Sequence, residues 1–282
     1  MILSKEEITV LLQSRSLGPQ HDLGQNFLID EAILQKIVAA VDVSAVWGGK
    51  ILEIGPGLGV LTDELVKLRQ GEKRVEVVAV EQDRALAERL THFLRDPANL
   101  TVVPADFVQF DRSRWFEDGA YSVATNLPFG ITNYFLNAMY TETPRPRQIV
   151  AMLQREVADR VLAEAGDSAR GLQSIVAEWY GTRELVTKVP RDCFWPVPKV
   201  DAAVVRLTID QPIVGSDKKI FKFIKTLFGQ RRKTLHNSLK MVVASVDEAD
   251  NALQEAKIDP VLRPQDLTVE QWRRLSSVLH LG

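Results

Sequence analysis

The segment Asn126-Leu127-Pro128-Phe129 combines three groups that could hold a base by its exocyclic amino group. The Asn126 side chain offers a carbonyl acceptor, and Pro128 forces Leu127 away from helical geometry, which fixes the Leu127 carbonyl. Phe129 adds a flat face on which a base can stack. These four residues are therefore candidate catalytic residues. The alternative interpretation is a plain loop that leads into a helix over 132–139.

Three glycines at alternate positions follow a short apolar run, in the order Glu53-Ile54-Gly55-Pro56-Gly57-Leu58-Gly59. Residues 51–54 predict a buried strand and residues 60–66 a helix, so the glycines occupy a strand–turn–helix junction. Glycine lets the backbone approach a ligand, and α/β sheets bind nucleotides at the carboxyl ends of their strands. A dinucleotide fingerprint would need a further glycine at Val60, so NAD is disfavoured. The alternative is a tight turn without a ligand.

Two acids end the next two predicted strands. Glu81 follows the strand 75–80, at the distance from the glycine turn where nucleotide-binding domains place an acid on ribose hydroxyls. Asp106 closes the strand 100–103, where its carboxylate can accept from an adenine amino group while Phe107 packs on the ring. The alternatives are a solvated strand end for Glu81 and a simple turn cap for Asp106.

These candidate residues need a sheet to position them. Further strands are predicted at 121–125, 148–153, 183–189 and 202–209, and helices at 4–14, 83–95, 154–163 and around Leu172–Trp179. The segment Ser4-Lys5-Glu6-Glu7 has the form of a capping box, and Asp30 is expected to cap a helix whose apolar face includes Ile33 and Ile37. The segments 17–28 and 190–201 are predicted loops because of their Gly and Pro content. Strands that alternate with helices over this length suit one α/β domain with a small appendage.

The composition changes from Gln211, where the strand pattern ends and residues 212–217 form a predicted linker. Two predicted helices then carry a nearly single-signed set of cations, which favours binding to a polyanion over a solvated face. The set is Lys218, Lys219, Lys222, Lys225, Arg231, Arg232, Lys233 and Lys240. The break at Gly229 is expected to place Arg231, Arg232 and Lys233 at a helix start, where an RNA phosphate could bind. Since the net charge of the whole chain is −2, any surface that binds nucleic acid must be local.

The whole sequence is typical of a globular protein, with 45% hydrophobic and 26% charged residues. It contains no apolar run of about 18 residues, so no membrane association is expected. Residues 1–17 carry Glu6 and Glu7 without a long apolar core, so we do not expect a signal peptide. The single Cys193 excludes an internal disulfide and a cysteine-cluster metal site, and we expect a cytoplasmic protein without a metal.

The glycine turn resembles the first motif of S-adenosylmethionine (SAM) methyltransferases, and five motifs in order resemble the small-subunit (16S) rRNA adenine N6,N6-dimethyltransferases of the KsgA type. The motifs are Leu23-Gly24-Gln25-Asn26-Phe27-Leu28, Glu53-Ile54-Gly55-Pro56-Gly57, Asn126-Leu127-Pro128-Phe129, Phe194-Trp195-Pro196-Val197-Pro198-Lys199-Val200-Asp201 and Gln230-Arg231-Arg232-Lys233-Thr234-Leu235-His236-Asn237-Ser238-Leu239.

The resemblance implies a Rossmann-like methyltransferase sheet of seven strands over residues 1–210, preceded by a helical and loop segment 1–46, and a helical RNA-binding domain over 211–282. It implies that the protein dimethylates two adjacent adenosines near the 3′ end of small-subunit rRNA during ribosome biogenesis. The implied partner is rRNA in a 30S-type particle, and we expect a monomer.

The resemblance also implies roles for individual residues. The implied SAM site comprises Gln25, Asn26, Leu28, Gly55, Gly57, Glu81, Asp106, Phe107 and Asn126. The segment Asn126–Phe129 would grip the target adenine, and Phe194 would face it from the other side. Arg231, Arg232 and Lys233 would contact RNA.

Two departures from the family pattern stand out. The family usually carries Lys or Arg just before the first motif, where this chain has Gln20, His21 and Asp22. The residue after Phe129 is often Asn in the family and is Gly130 here, so no role is assigned to it.

Two alternative functions remain open. One is a large-subunit rRNA adenine methyltransferase of the macrolide-resistance type, which shares the fold and a related Asn-Leu-Pro-Phe motif. The blocks 194–201 and 230–239 favour the small-subunit enzyme. The other is a non-catalytic RNA-binding assembly factor, against which the intact Glu81, Asp106 and Asn126 argue.

Overall fold

The computed structural model describes residues 2–13, 26–45 and 49–281. The helices are α1 (Lys5–Gln13), α2 (Glu31–Ala40), α3 (Val60–Leu65), α4 (Arg84–Phe93), α5 (Thr132–Thr141), α6 (Arg155–Leu162), α7 (Leu172–Tyr180), α8 (Asp217–Phe228), α9 (Leu235–Leu239), α10 (Val246–Glu255) and α11 (Val269–Val278). The strands are β1 (Phe27–Leu28), β2 (Lys50–Ile54), β3 (Arg69–Gln70), β4 (Lys73–Arg74), β5 (Glu76–Glu81), β6 (Leu100–Pro104), β7 (Tyr121–Asn126), β8 (Gln148–Gln154), β9 (Gly181–Val189), β10 (Phe194–Trp195) and β11 (Ala202–Ile209).

The main sheet has seven strands in the order β6-β5-β2-β7-β8-β11-β9. Strands β6, β5, β2, β7 and β8 pair in parallel, whereas β11 runs antiparallel to β8. The short apolar runs predicted as strands are the buried centre of this sheet, because helices cover both faces of parallel strands. The seven strands predicted from sequence are therefore confirmed.

The chain reverses its direction of winding at β2. From β2 it proceeds outward through β5 to β6, and then returns to the other side of β2 to form β7 and β8. Such a switch point leaves a crevice outside the carboxyl ends of the strands, and this is where open α/β sheets bind ligands. The glycine turn after β2 and the Asn126 segment at the end of β7 both lie there.

Helix starts follow the predicted caps. Ser4 and Glu7 form a reciprocal capping box, in which the Glu7 amide donates to Ser4 Oγ at 3.1 Å and the Ser4 amide to Glu7 Oε2 at 2.8 Å. Asp30 accepts from the Ile33 amide at 2.9 Å and starts α2.

Two segments predicted as plain loops contain a short antiparallel ladder. Strand β1 pairs with β10, so that Phe27 lies opposite Trp195 and Leu28 opposite Phe194. Each strand has only two residues, flanked by turn-forming sequence, so no local periodicity reveals it. The pairing joins the motif at residues 23–28 to the motif at residues 194–201.

The chain divides into two compact units. The first comprises Met1–Ala158 and Arg183–Ile209, and the second comprises Asp159–Thr182 and Asp210–Gly282. In the second unit, Trp179 is buried and packs edge-to-face on Phe221 with centroids 5.4 Å apart, so Trp179 is a core residue of this unit. The long segment of this second unit begins at Asp210, and its short segment, Asp159–Thr182, contains α7.

Candidate active site

The glycine turn has a left-handed backbone conformation that residues other than glycine rarely adopt. Gly55, Gly57 and Gly59 have φ values of +65°, +57° and +80°. A Cβ at Gly55 would lie 2.7 Å from Pro128 Cγ, and one at Gly57 would lie 3.1 Å from Phe27 Cε1. The turn therefore requires glycine for its conformation and for its close approach to two neighbouring motifs.

Glu81 is buried at the end of β5 and braces the glycine turn. Its Oε2 accepts from the Gly57 amide at 2.9 Å, and its Oε1 accepts from the Asp83 amide at 2.9 Å. Burial raises the pKa of the Glu81 carboxyl, while these amides oppose the shift. The alternative of a solvated strand end is wrong, since Glu81 is 6% exposed. Each oxygen keeps a further lone pair for a ligand.

Asp106 and Phe107 follow β6 at the same edge of the sheet. Asp106 Oδ1 accepts from the Val108 amide at 2.9 Å, so the residue does cap a turn. The same half-buried side chain also lines the cavity described below. Phe107 is buried against Tyr134 and Phe135, with centroids 6.1 and 6.0 Å away, so its ring is fixed at the cavity wall.

The Asn126 segment is anchored at both ends. Thr125 Oγ1 donates to the Ile54 carbonyl at 2.7 Å, which fixes the end of β7 beside the glycine turn. Asn126 Nδ2 donates to the Asn26 carbonyl at 3.4 Å. Among the described residues, Asn126 Oδ1 receives no donor, and neither does the Leu127 carbonyl. The predicted pair of acceptors is therefore available at the cavity wall.

The residues after Leu127 complete this wall. Phe129 is half-buried and starts a short 3-10 turn that leads into α5. Gly130 is exposed, and a Cβ there would meet nothing within 4 Å, so the cavity is open on that side.

The β1–β10 ladder brings three further predicted residues to the cavity. Asn26 and Leu28 line it from one strand and Phe194 from the other. The Phe194 side chain is completely buried, so its predicted contact with a substrate base stays a prediction. Gln25 lies outside the described residues.

All these groups surround one cavity of about 480 Å³ at the carboxyl ends of the central strands. Its charged lining side chains are Glu53, Glu81 and Asp106, and no Lys, Arg or His among the described residues lines it. Phe27, Glu53 and Gln82 also line the cavity, and none of the three was a predicted site residue. Glu53 could have been found because it is the one charged residue inside the apolar run 51–54.

Glu53 is almost completely buried, with 1% exposure. Its Oε2 has no hydrogen-bond partner among the described residues. Burial raises the pKa of the Glu53 carboxyl to about 8; the nearby Thr62 hydroxyl opposes this shift and the Glu81 carboxylate adds to it.

The basic residues predicted to contact RNA lie in the second unit and differ in the contacts that their side chains make. Arg231 Nη2 donates to the carbonyls of Ser168 and Arg170 at 2.6 and 2.8 Å. Arg232 and Lys233 are exposed, and Lys233 Nζ contacts Met241 Sδ at 3.2 Å. The expectation that Gly229 places the three cations at a helix start is wrong.

Gly229 caps the end of α8, and α9 begins only after Thr234. The three cations therefore lie in the connection between the two helices. Every exposed charged residue of α8 is a lysine, while the other face of this helix is buried by Ile220, Phe221, Ile224 and Leu227.

Comparison with known proteins places the chain among the RNA methyltransferases. Residues 19–280 match the family model described as ribosomal RNA adenine dimethylase. The chain belongs to this family. One relative is the ribosomal RNA small subunit methyltransferase A of Dehalococcoides mccartyi (strain CBDB1), 35% identical over 276 residues that cover 94% of this chain and 90% of the relative. The protein of the same name from Clostridioides difficile (strain 630) is 37% identical over 266 residues, which cover 92% of this chain and 90% of the relative.

Solved structures show the same architecture. The 23S rRNA methyltransferase ErmE aligns with a TM-score of 0.70 and 26% identity over 90% of this chain and 100% of its own. A dimethyladenosine transferase from Plasmodium falciparum aligns with a TM-score of 0.75 and 22% identity over 90% and 97% of the two chains. These likenesses confirm the predicted seven-stranded, Rossmann-like methyltransferase fold.

Family membership also confirms the predicted class of enzyme, a SAM-dependent rRNA adenine dimethyltransferase. None of the helices in the described part of the chain has the length and apolar content needed to cross a membrane. In the same part of the chain, no group of three or more His, Cys, Asp or Glu side chains could hold a metal ion.

Proposed function

We propose that this protein transfers methyl groups from SAM to N6 of two adjacent adenosines near the 3′ end of small-subunit rRNA, twice on each. The substrate is rRNA in a 30S-type particle, and the enzyme acts as a cytoplasmic monomer in small-subunit biogenesis. The observation that carries the chemistry is the Asn126 side chain, whose amide nitrogen is held by Asn26 while its oxygen is left as an acceptor at the cavity wall.

The choice of the small subunit rests on the relatives. Proteins named for methylation of small-subunit rRNA are 33–37% identical to this chain over 92–95% of its length. The 23S rRNA methyltransferase shares only 26% identity over 90% of the chain. The large-subunit reaction is therefore the second candidate, and the test below includes it.

The cavity fits SAM by the chemistry of its lining. Glu81 carries spare lone pairs on both oxygens, suited to the two ribose hydroxyls. Asp106 has an oxygen beyond the one that caps its turn, suited to an adenine amino group, and Phe107 offers the adjoining ring. The glycine turn lines the cavity with backbone, because a Cβ at Gly55 or Gly57 would approach Pro128 or Phe27 too closely. The three acids suit a ligand with positive charge, and SAM, when bound, supplies a methyl group on a sulfonium.

The Asn126 segment would align the target nitrogen. The N6 lone pair of adenine is delocalised into the ring, so the base must be held with that lone pair aimed at the methyl group. Asn126 Oδ1 and the Leu127 carbonyl can accept the two amino hydrogens and turn the lone pair out of the ring plane. Orientation of this kind can lower a barrier by roughly 7–11 kcal/mol.

Stacking would hold the base outside its helix. Removing an adenine from its stack costs a few kcal/mol. A ring such as Phe129, together with Phe194 on the other side, returns about 1–3 kcal/mol per stacked face. The product nitrogen is strongly acidic and can lose its proton to solvent, so no dedicated base is required. The open side at Gly130 leaves space for monomethyl-adenine to turn before the second transfer.

The second unit would dock the enzyme on RNA. Lys218, Lys219, Lys222 and Lys225 are all exposed on α8, and the exposed Arg232 and Lys233 follow this helix. The chain carries a net charge of −2, so this cationic surface is local and would attract phosphates at short range. Binding to the particle should therefore weaken as the salt concentration rises.

The direct test is transfer of labelled methyl groups from SAM to purified particles. Immature small subunits should accept label in two adjacent adenosines, and large-subunit RNA should not. An Asn126→Ala variant that still binds SAM is the control for transfer at this site. Labelling of large-subunit RNA alone would select the second candidate.

A further inference from the structure

Glu53 is a buried acid with one carboxylate oxygen that the described part of the chain does not pair. The side chain is 1% exposed at the end of β2, and its Oε2 has no hydrogen-bond partner among the described residues. Buried polar atoms are nearly always paired, so such an atom at a cavity wall points to a group that arrives with a ligand.

The surroundings of Glu53 are acidic. Glu81 at the end of β5 and Asp106 after β6 line the same cavity as Glu53. The Glu81 oxygens are already held by two backbone amides. No cationic side chain among the described residues lines the cavity to balance Glu53. Among the described residues, none supplies a positive charge opposite Glu53, whereas a cationic ligand would.

We propose that Glu53 is the residue that distinguishes the methyl donor from its product by charge. SAM carries a positively charged sulfur, and S-adenosylhomocysteine has a neutral sulfur and lacks only the transferred methyl group. An ionised Glu53 in a buried cavity attracts the charged sulfur of SAM but not the neutral sulfur of S-adenosylhomocysteine. It therefore favours binding of the donor and release of the product. This inference rests on the proposed function, because it takes SAM as the ligand.

The charge on Glu53 is coupled to a proton. In the empty protein, burial holds the pKa of Glu53 at about 8, so at pH 7 the carboxyl is mostly protonated. A bound cation favours the ionised form and lowers that pKa, so the proton leaves to solvent when SAM binds. The affinity for SAM should then rise with pH up to about pH 8 and level off above it. Binding of S-adenosylhomocysteine, which lacks the charged sulfur, should release no proton from Glu53.

The test is isothermal titration calorimetry with both ligands, in two buffers of different ionisation enthalpy at pH 7. Wild type should release more protons with SAM than with S-adenosylhomocysteine, and Glu53→Gln should abolish the difference. The α-amino group titrates near pH 8 in both ligands and cancels in this comparison. Glu53→Gln should weaken SAM by about tenfold or more, and the product by less than about threefold.

The matched control is Glu88→Gln, which removes one negative charge from an exposed site on α4. It should leave the ratio of the two affinities unchanged. Equal proton release with both ligands in wild type, or an unchanged ratio in a folded Glu53→Gln variant, would overturn the role of Glu53. Failure of wild type to bind either ligand would instead overturn the proposed function, and this inference with it.

Discussion

Substitution of Gly55 by alanine tests the two reasons why the turn requires glycine, its left-handed backbone and its close approach to Pro128. Gly55 has a φ of +65°, and a Cβ there would lie 2.7 Å from Pro128 Cγ and 3.0 Å from Pro128 Cδ. A left-handed backbone costs a residue other than glycine about 1–2 kcal/mol. Inserting a methyl group into a packed site costs a further 1–3 kcal/mol or so. The free energy of unfolding of Gly55→Ala should therefore fall by roughly 2–5 kcal/mol.

Gly119 is the matched control. Its φ is +70°, and a Cβ there would meet nothing within 4 Å. Gly119→Ala should lose only the conformational part, about 1–2 kcal/mol. The difference between the two variants, measured by urea unfolding, is the cost of the clash with Pro128.

The same clash predicts a loss of activity. Because the Pro128 ring is rigid, the methyl group can be accommodated only by a shift of the segment 126–129 or of the glycine turn. Displacing a reacting group by about 1 Å can reduce the rate by roughly a hundredfold. Single-turnover methyl transfer by folded Gly55→Ala should therefore be far slower than by Gly119→Ala. Equal stability and equal rates in the two variants would show that Pro128 does not depend on this close approach.

Four further predictions concern the site and the RNA-binding surface. Glu81→Gln should weaken SAM by on the order of 1.5–3 kcal/mol in calorimetry and also loosen the glycine turn, and an unchanged affinity would contradict its role at the ribose. Phe129→Ala should retain SAM binding and lose most turnover, whereas a wild-type single-turnover rate would make the ring structural. The double variant Arg232→Gln, Lys233→Gln should keep its thermal stability. The slope of log affinity for the particle against log salt concentration should become shallower by about one unit for each phosphate that the variant no longer neutralises. Arg231→Gln should instead lower thermal stability, since it removes bonds to two backbone carbonyls, and an unaltered melting temperature would contradict this.

The sequence was sufficient to predict the features that depend on local pattern. Apolar runs predicted the strands of the sheet, and the acids at their ends were placed correctly at one edge, because parallel strands end together there. The polar caps Ser4 and Asp30 predicted where two helices begin.

Contacts between distant parts of the chain could not be read in this way. The pairing of Leu28 with Phe194, and the approach of the Phe27 ring to Gly57, depend on tertiary packing of segments that look irregular by themselves. The bonds from Arg231 to the carbonyls of Ser168 and Arg170 likewise join remote segments, so the sequence grouped Arg231 with its neighbours. The charge of Glu53 inside an apolar strand is a local signal of a buried acid at the cavity.

The most direct measurement is mass spectrometry of rRNA after incubation of the enzyme with SAM and particles of either subunit. If the proposed function is correct, two adjacent adenosines near the 3′ end of small-subunit rRNA will each carry two methyl groups on N6, and large-subunit rRNA will be unmodified. Asn126→Ala should leave the same adenosines unmethylated while the particle still binds. Methylation of large-subunit rRNA alone, or of small-subunit rRNA at an unrelated base, would contradict the proposal.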